Sequence, residues 1–182
     1  MDIYLVRHGE AASSWSESSD PGLSELGARQ AQDVANELRG QLGTEAQLIS
    51  SPLARARETA QPLAAALFLP IALREAFREI PAPVPLPQRQ SWLRQFMQQT
   101  WDGQPAPLCR WRDSAVQQLL ELRQPTVVFT HFLVINAVVG KVQGRAEILC
   151  FWPDNASITQ LRLREGALEL VALGREMKTV VN

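Results

Sequence analysis

No stretch of this sequence approaches the roughly 20 consecutive apolar residues that a membrane-spanning helix needs, so a membrane is not an expected partner. Neither common glycine-rich phosphate loop, G-x-x-x-x-G-K-[ST] or G-x-G-x-x-G, is present, which argues against a nucleotide-binding α/β domain. Cysteine is scarce: Cys109 and Cys150 stand far apart and in no metal-ligand spacing, so neither a disulfide scaffold nor a thiolate metal site is indicated. An excess of either charge is missing too. Lys and Arg number 18 against 19 Asp and Glu, a formal net charge of −1, and a nucleic-acid partner would call for a basic face. The opening Met1-Asp2-Ile3-Tyr4-Leu5-Val6 has no basic n-region and no long apolar h-region. A soluble, cytoplasmic protein without a signal peptide is therefore expected.

What is present is a chain of 182 residues, 46% hydrophobic, enough for one domain (1–182) with a full core. Short apolar runs at 2–6, 46–50, 71–74 and 126–130 have the character of parallel strands buried on both faces. Helical periodicity separates them. Ala31, Val34, Ala35 and Leu38 follow Ser24 at helical spacing and Gly40 closes the segment. Ser51-Pro52 reads as an N-cap followed by proline in the first turn, leading into a stripe of Ala56, Ala60, Leu63, Ala64 and Leu67. Trp111, Ala115, Leu119 and Leu122 form another stripe. Residues 132–139 are apolar all round, a buried helix ending at Gly140. This alternation predicts an α/β fold with a largely parallel sheet. Runs at 157–163 and 167–173, joined by Arg164-Glu165-Gly166, predict a C-terminal hairpin. Residues 81–107 hold six of the twelve prolines around a short helical piece at 88–101, and read as a lid or insertion over one end of the sheet.

The chain has two histidines, His8 and His131, and each directly follows a predicted strand. In a parallel sheet the carboxyl ends of strands share one edge, where ligands bind. Alone, each would pass for an ordinary core or surface histidine; together, at matching strand ends, they point to a site. Arg7 and Gly9 flank His8, a cation for an anion and a residue that lets backbone approach closely. Arg55 lies in the first turn of the helix after the second strand, where a helix N-terminus attracts anions; Arg57 reads as a solvated helix arginine, as Arg55 would if it stood alone. Glu79 in Arg78-Glu79-Ile80 would alone be an ordinary solvated loop charge, and gains interest only because it lies past a third strand end. The set Arg7, His8, Arg55, Glu79 and His131 holds a nucleophile or base, two guanidinium forks suited to phosphate oxygens, a carboxylic acid and a second imidazole. With no metal-ligand cluster in view, the positive charge that phosphoryl transfer needs would come from side chains.

Six pieces resemble the histidine phosphatase superfamily, the phosphoglycerate-mutase-like fold: L-V-R-H-G-E (5–10), L-S-E-L-G-A-R-Q-A (23–31), S-S-P-L-A-R-A-R-E-T-A (50–60), F-R-E-I (77–80), T-H-F-L-V-I-N-A (130–137) and D-N-A-S-I-T (154–159). They keep family order across nearly the whole chain. The resemblance implies a three-layer α/β sandwich with a mostly parallel central sheet flanked by helices. It implies a phosphatase with His8 as phosphoryl-accepting nucleophile, Arg7, Arg55 and His131 as phosphate ligands, Glu79 as proton donor, and no cofactor or metal. Asn155 and Ser157 would be structural supports behind the second histidine.

Three departures from the family pattern stand out. Thr130-His131-Phe132-Leu133 replaces the usual S-H-G-G, so the backbone N–H of Phe132 can reach phosphate but its ring adds bulk. Ser14 stands where many members carry an asparagine ligand. Ile80-Pro81-Ala82-Pro83 replaces an acidic-aromatic-glycine stretch. The longer insertions of the mutases are missing, and the chain matches the compact phosphatases. The expected substrate is a small phosphorylated metabolite; a phosphohistidine protein, a mutase reaction and a non-catalytic phosphate-binding module are the rivals. Trp92, Trp101 and Trp111 are expected to pack the lid, with pocket lining as their second reading. Trp15 is expected near the pocket edge.

Overall fold

In the computed structural model, which describes residues 1–14 and 17–177, the apolar runs become β1 (Asp2–Arg7), β2 (Gln47–Ser50), β3 (Ile71–Leu73) and β4 (Thr126–Thr130). The hairpin strands are β5 (Ile158–Arg164) and β6 (Ala167–Ala172). They form one sheet in the order β3-β2-β4-β1-β5-β6. The first four strands are parallel to one another, while β5 runs antiparallel to both β1 and β6. Glu165 and Gly166, at φ 52° and 79°, make the tight turn of the hairpin, both central residues in the left-handed region as a type I′ turn requires.

The alternation of β1 assigns its two faces. Ile3 and Leu5 pack into a core with Ala115, Leu119, Val134, Ile135 and Val138. These come from α4 (Ala106–Leu120) and α5 (Phe132–Val142). Tyr4 and Val6 point the other way, onto Val34, Leu38, Ala60 and Leu63 of α1 (Glu25–Leu38) and α2 (Ala54–Leu67). Helices thus cover both faces, the three-layer sandwich expected of parallel strands that are apolar on both sides.

Two element ends differ from the sequence reading. The second helix begins at Ala54 with Leu53 as its cap, not at Ser51-Pro52, because the Ser51 hydroxyl is committed to His131, 2.7 Å away. The buried α5 does not stop at Gly140 but runs to Val142. Gly140 serves close packing instead: a Cβ there would meet the Cys150 sulfur at 3.0 Å.

The segment at 81–107 carries a 3-10 turn (Leu86–Gln88) and α3 (Arg89–Phe96), shorter than the 88–101 expected. Its apolar residues form a third cluster, in which Phe96, Trp101 and Ile80 pack on Leu133 and Ala137 of α5, with Trp92 and Trp111 at its margin. The rings of Trp92, Phe96, Trp101 and Trp111 contact in series, so these three tryptophans do pack this segment onto the sandwich. Trp15 lies outside the described residues. No helix among the described residues is long and apolar enough to cross a membrane.

Candidate active site

Register brings the two histidines together. Strands β1 and β4 run in parallel with Arg7 opposite Thr130, and the ladder continues with the His8 N–H donating to the Thr130 carbonyl at 3.0 Å. The next residue on each strand is a histidine, and the two rings lie 5.2 Å apart, tilted by 59°. Arg55, one strand over at the start of α2, reaches the same point. Its Nε donates to His8 Nε2 at 3.1 Å.

The neutral form and tautomer of His8 follow from its partners. Nδ1 lies 2.7 Å from the Gly9 carbonyl oxygen, which can only accept. Nε2 faces the Arg55 Nε–H, which can only donate. The proton therefore sits on Nδ1 and the lone pair on Nε2. Burial holds the His8 pKa well below the usual imidazole range, and the charges of Arg55 and Arg7 push it the same way. His131 is also held well down, first by burial and then by Arg55, His8 and Arg7. Its Nε2 is 2.7 Å from Ser51 Oγ, which itself accepts from the Leu53 N–H at 3.3 Å.

Three buried polar atoms in this cluster have no hydrogen-bond partner among the described residues: Arg7 Nε, Arg55 Nη1 and His131 Nδ1. Buried donors without acceptors are costly, and an anion among them would supply the acceptors. Arg7 is otherwise held by the Pro153 carbonyl, 2.9 Å from Nη1, and its guanidinium lies 5.2 Å from the centre of the Phe132 ring.

Each residue of Phe77-Arg78-Glu79-Ile80 has its own anchor. Phe77 is fully buried and its carbonyl accepts from Thr130 Oγ1 at 2.8 Å. The Arg78 carbonyl accepts from Trp111 Nε1 at 2.9 Å. Ile80 is buried in the third cluster. The carboxylate of Glu79 accepts from the Ile80 N–H at 3.0 Å and, more weakly, from the Leu133 N–H at 3.4 Å. Burial raises its pKa above the ordinary carboxyl value, outweighing the backbone hydrogen bonds and the pull of Arg55 and Arg7. A half-buried acid poised towards protonation thus shares the site with a neutral imidazole whose Nε2 lone pair is held only by the Arg55 Nε–H. That pairing suits proton donation coupled to nucleophilic attack.

A cleft of about 400 Å³ opens from this point, lined at its head by Arg7, His8, Arg55 and Glu79 and along its sides by Leu93, Met97, Phe132, Leu133 and Trp152. The loop serine on the wall is Ser13; the Ser14 N–H and carbonyl instead close a turn with Glu17 and Ser18. Trp92, Trp101 and Trp111 are not on this wall, whereas Trp152, Leu93 and Met97, which the sequence did not single out, are. Among the described residues no group of three or more His, Cys, Asp or Glu stands close enough to hold a metal ion.

Asn155 supports the first histidine rather than the second. Its Nδ2 donates to the His8 carbonyl at 3.4 Å, and the Ala156 N–H donates to the same oxygen at 3.3 Å. Ser157 likewise serves β1, its carbonyl accepting from the Arg7 N–H at 3.1 Å. This is a consequence of sheet order, since β5 borders β1 and not β4.

The supporting residues of the helix motifs became legible only in three dimensions. Thr59, one turn after Arg55, takes the Gly9 N–H at 3.0 Å. Glu58 takes the Leu23 N–H at 2.7 Å. Ser24 caps α1 through the Gly27 N–H and also donates to Glu10 Oε1 at 2.8 Å. The loop carrying His8 is thereby tied to two helices. It also packs on α1 backbone to backbone: a Cβ on Gly27 would lie 2.1 Å from the Glu10 carbonyl oxygen. Gly27→Ala should destabilise the fold by about 3 kcal/mol and lower Tm by roughly 6–12 °C. A calorimetric Tm within about 2 °C of the parent would contradict this close packing.

Residues 3–176 match the model of the histidine phosphatase superfamily, branch 1. The chain is 31% identical to "Probable phosphoglycerate mutase GpmB" of Yersinia pestis over 193 aligned positions, covering 94% of this chain and 84% of that protein. Among solved structures it resembles phosphoserine phosphatase from Entamoeba histolytica in complex with phosphoserine (TM-score 0.74, 23% identity, 94% of this chain and 95% of that one). It also resembles mycobacterial glucosyl-3-phosphoglycerate phosphatase (TM-score 0.74, 22% identity, 94% and 97%). At these identities the structural likeness speaks for the fold, and the match over nearly the whole length speaks for descent. The chain belongs to the histidine phosphatase superfamily, branch 1.

Proposed function

We propose that this protein hydrolyses phosphomonoesters of small metabolites without a metal, through a phosphohistidine on His8. The observation that carries the reading is the state of His8: a buried, neutral imidazole whose Nε2 lone pair is aimed at the guanidinium of Arg55 at the head of a cleft. An incoming phosphate takes over the Arg55 N–H that occupies this lone pair, which frees Nε2 as the phosphorus arrives.

Nε2 then forms a bond to phosphorus while the ester P–O bond breaks in line. The departing alkoxide takes the proton of Glu79. Arg7, Arg55 and His131 hold the equatorial oxygens, with the Phe132 N–H at the start of α5 as a further donor. In the second half a water attacks phosphorus, the P–N bond breaks, and the Glu79 carboxylate accepts the water's proton. Inorganic phosphate leaves and the starting proton inventory is restored. The segment at 81–107 acts as a side wall or lid through Leu93 and Met97.

The reading is tested by hydrolysis of p-nitrophenyl phosphate in excess chelator, with rapid acid- and base-quench trapping of the phosphoenzyme. Base-stable, acid-labile protein phosphate is the expected result. Hydrolysis that disappears with chelator, or phosphate trapped as an acid-stable ester, would overturn the mechanism.

The pKa directions give a pH profile. His8 must be neutral, so kcat/KM rises with pH through its depressed value, below the ordinary ~6.5. Glu79 must be protonated for the first step, so kcat/KM falls as pH rises through its elevated value. The maximum is expected at acidic to neutral pH. Glu79→Gln should lower turnover and flatten the alkaline limb. A maximum well above neutrality would count against Glu79 as the acid.

A further inference from the structure

The wall of the cleft is sorted sharply by chemistry. Among its described residues the only cations are Arg7 and Arg55, both at the phosphate end. Arg7 already spends one arm on the Pro153 carbonyl. The other charged groups are carboxylates: Glu79, and at the mouth the exposed Glu10, which accepts from Ser24 Oγ. Beyond these the wall is mostly apolar, with Leu93, Met97, Phe132, Leu133, Trp152 and Met177 its larger members, and Ser13 and Asn155 are uncharged polar residues on it.

Several of these are presented as a prepared apolar surface. The Phe132 and Trp152 rings pair at 5.4 Å, and Trp152, on the cleft wall, remains 43% exposed. Leu93 and Met97 stand one helical turn apart, with the Met97 N–H donating to the Leu93 carbonyl at 2.9 Å, so both side chains lie on one face of α3.

Resting on the hydrolase reading above, we infer that the substrate is the phosphate ester of an uncharged, apolar alcohol, aromatic or branched, and not of a hydroxy acid. A leaving group bearing its own carboxylate would be desolvated against apolar side chains. It would find the like charge of Glu10 and, among the described residues of the wall, no cation except those holding the phosphate. An aromatic group would instead cover Phe132 and Trp152. The same sorting disfavours a phosphoglycerate mutase reaction, in which the hydroxy acid must be held while the phosphoryl group returns to it.

The test compares 2-phenylethyl phosphate with 3-phosphoglycerate and O-phosphoserine, all alkyl esters, in chelator. The kcat/KM for 2-phenylethyl phosphate should exceed the other two by about ten- to a hundredfold, the range expected for burying a phenyl ring. In Trp152→Ala the loss on 2-phenylethyl phosphate should exceed the loss on 3-phosphoglycerate by about tenfold, with the Ki of inorganic phosphate as the readout of the phosphate end. Met97→Lys, which adds a cation to the wall, should raise 3-phosphoglycerate turnover relative to the parent. Turnover that favours 3-phosphoglycerate or phosphoserine in the parent protein overturns the substrate inference and leaves the hydrolase reading standing. Failure to hydrolyse any of the three, or p-nitrophenyl phosphate, overturns both.

Discussion

His8→Ala should lose phosphomonoester hydrolysis by a factor on the order of 10⁴–10⁶ in kcat, the scale seen when a covalent nucleophile is removed. No other group among the described residues of the cleft is placed to substitute for it. The second imidazole is buried, with Nε2 against Ser51 Oγ, and Glu79 is held by two backbone N–H groups. The variant should still bind inorganic phosphate, because Arg7, Arg55 and His131 remain, and it should trap no phosphoenzyme. Removing a side chain that makes one backbone contact and one contact to Arg55 leaves the fold standing, so circular dichroism and Tm should stay close to the parent. Phosphate binding without turnover would separate this enzyme from a pure phosphate-recognition module, whose binding and biological output would both survive the change. Retention of most hydrolysis would remove His8 from the mechanism.

Arg55 carries the second large effect, and two substitutions divide its roles. Arg55→Ala removes both a donor to the developing charge and the partner of His8 Nε2, and should cost about 10²–10³ in turnover. Because the Arg55 charge helps hold the His8 pKa down, the acid limb of the rate profile should move to higher pH. Arg55→Lys retains the charge, so that limb should stay near its original position. Turnover should nonetheless remain low, since an ammonium cannot offer Nε and Nη1 in a planar fork. A lysine variant with more than about half the parental kcat, where about 10²-fold loss is expected, would reduce Arg55 to a point charge.

Much of this site could be read from the chain before folding. Apolar runs ending in Arg7-His8 and Thr130-His131 place two imidazoles on one edge as soon as both strands are parallel, and the observed register seats them side by side. Arg55 and Glu79 were legible for the same reason, each lying just past a strand. What failed had a longer-range cause. Ser51 has the local chemistry of an N-cap, but its hydroxyl answers to His131, 80 residues away, and α2 starts three residues later. Gly140 has the look of a helix terminator, yet its missing side chain makes room for Cys150. Asn155 reads as a support for the nearer motif in sequence, the second histidine, until sheet order puts its strand beside β1. Of the side walls only Phe132 and the general place of the 81–107 segment could be foreseen. Leu93, Met97 and Trp152 are ordinary apolar residues, and only packing decides which of them face the cleft.

The central position of β1 also sets the order in which the molecule can mature. Its two neighbours, β4 and β5, begin at Thr126 and Ile158, so β1 has no partner in the sheet until more than about a hundred further residues have been made. At ~5–20 residues per second that wait is on the order of ten seconds, during which an apolar segment with two open edges is a target for self-association or for a chaperone. Contacts so distant along the chain also slow folding. His8 is thus seated only when β1 meets strands far along the chain, and recovery of its chemistry in a refolding experiment should report closure of the sheet around β1.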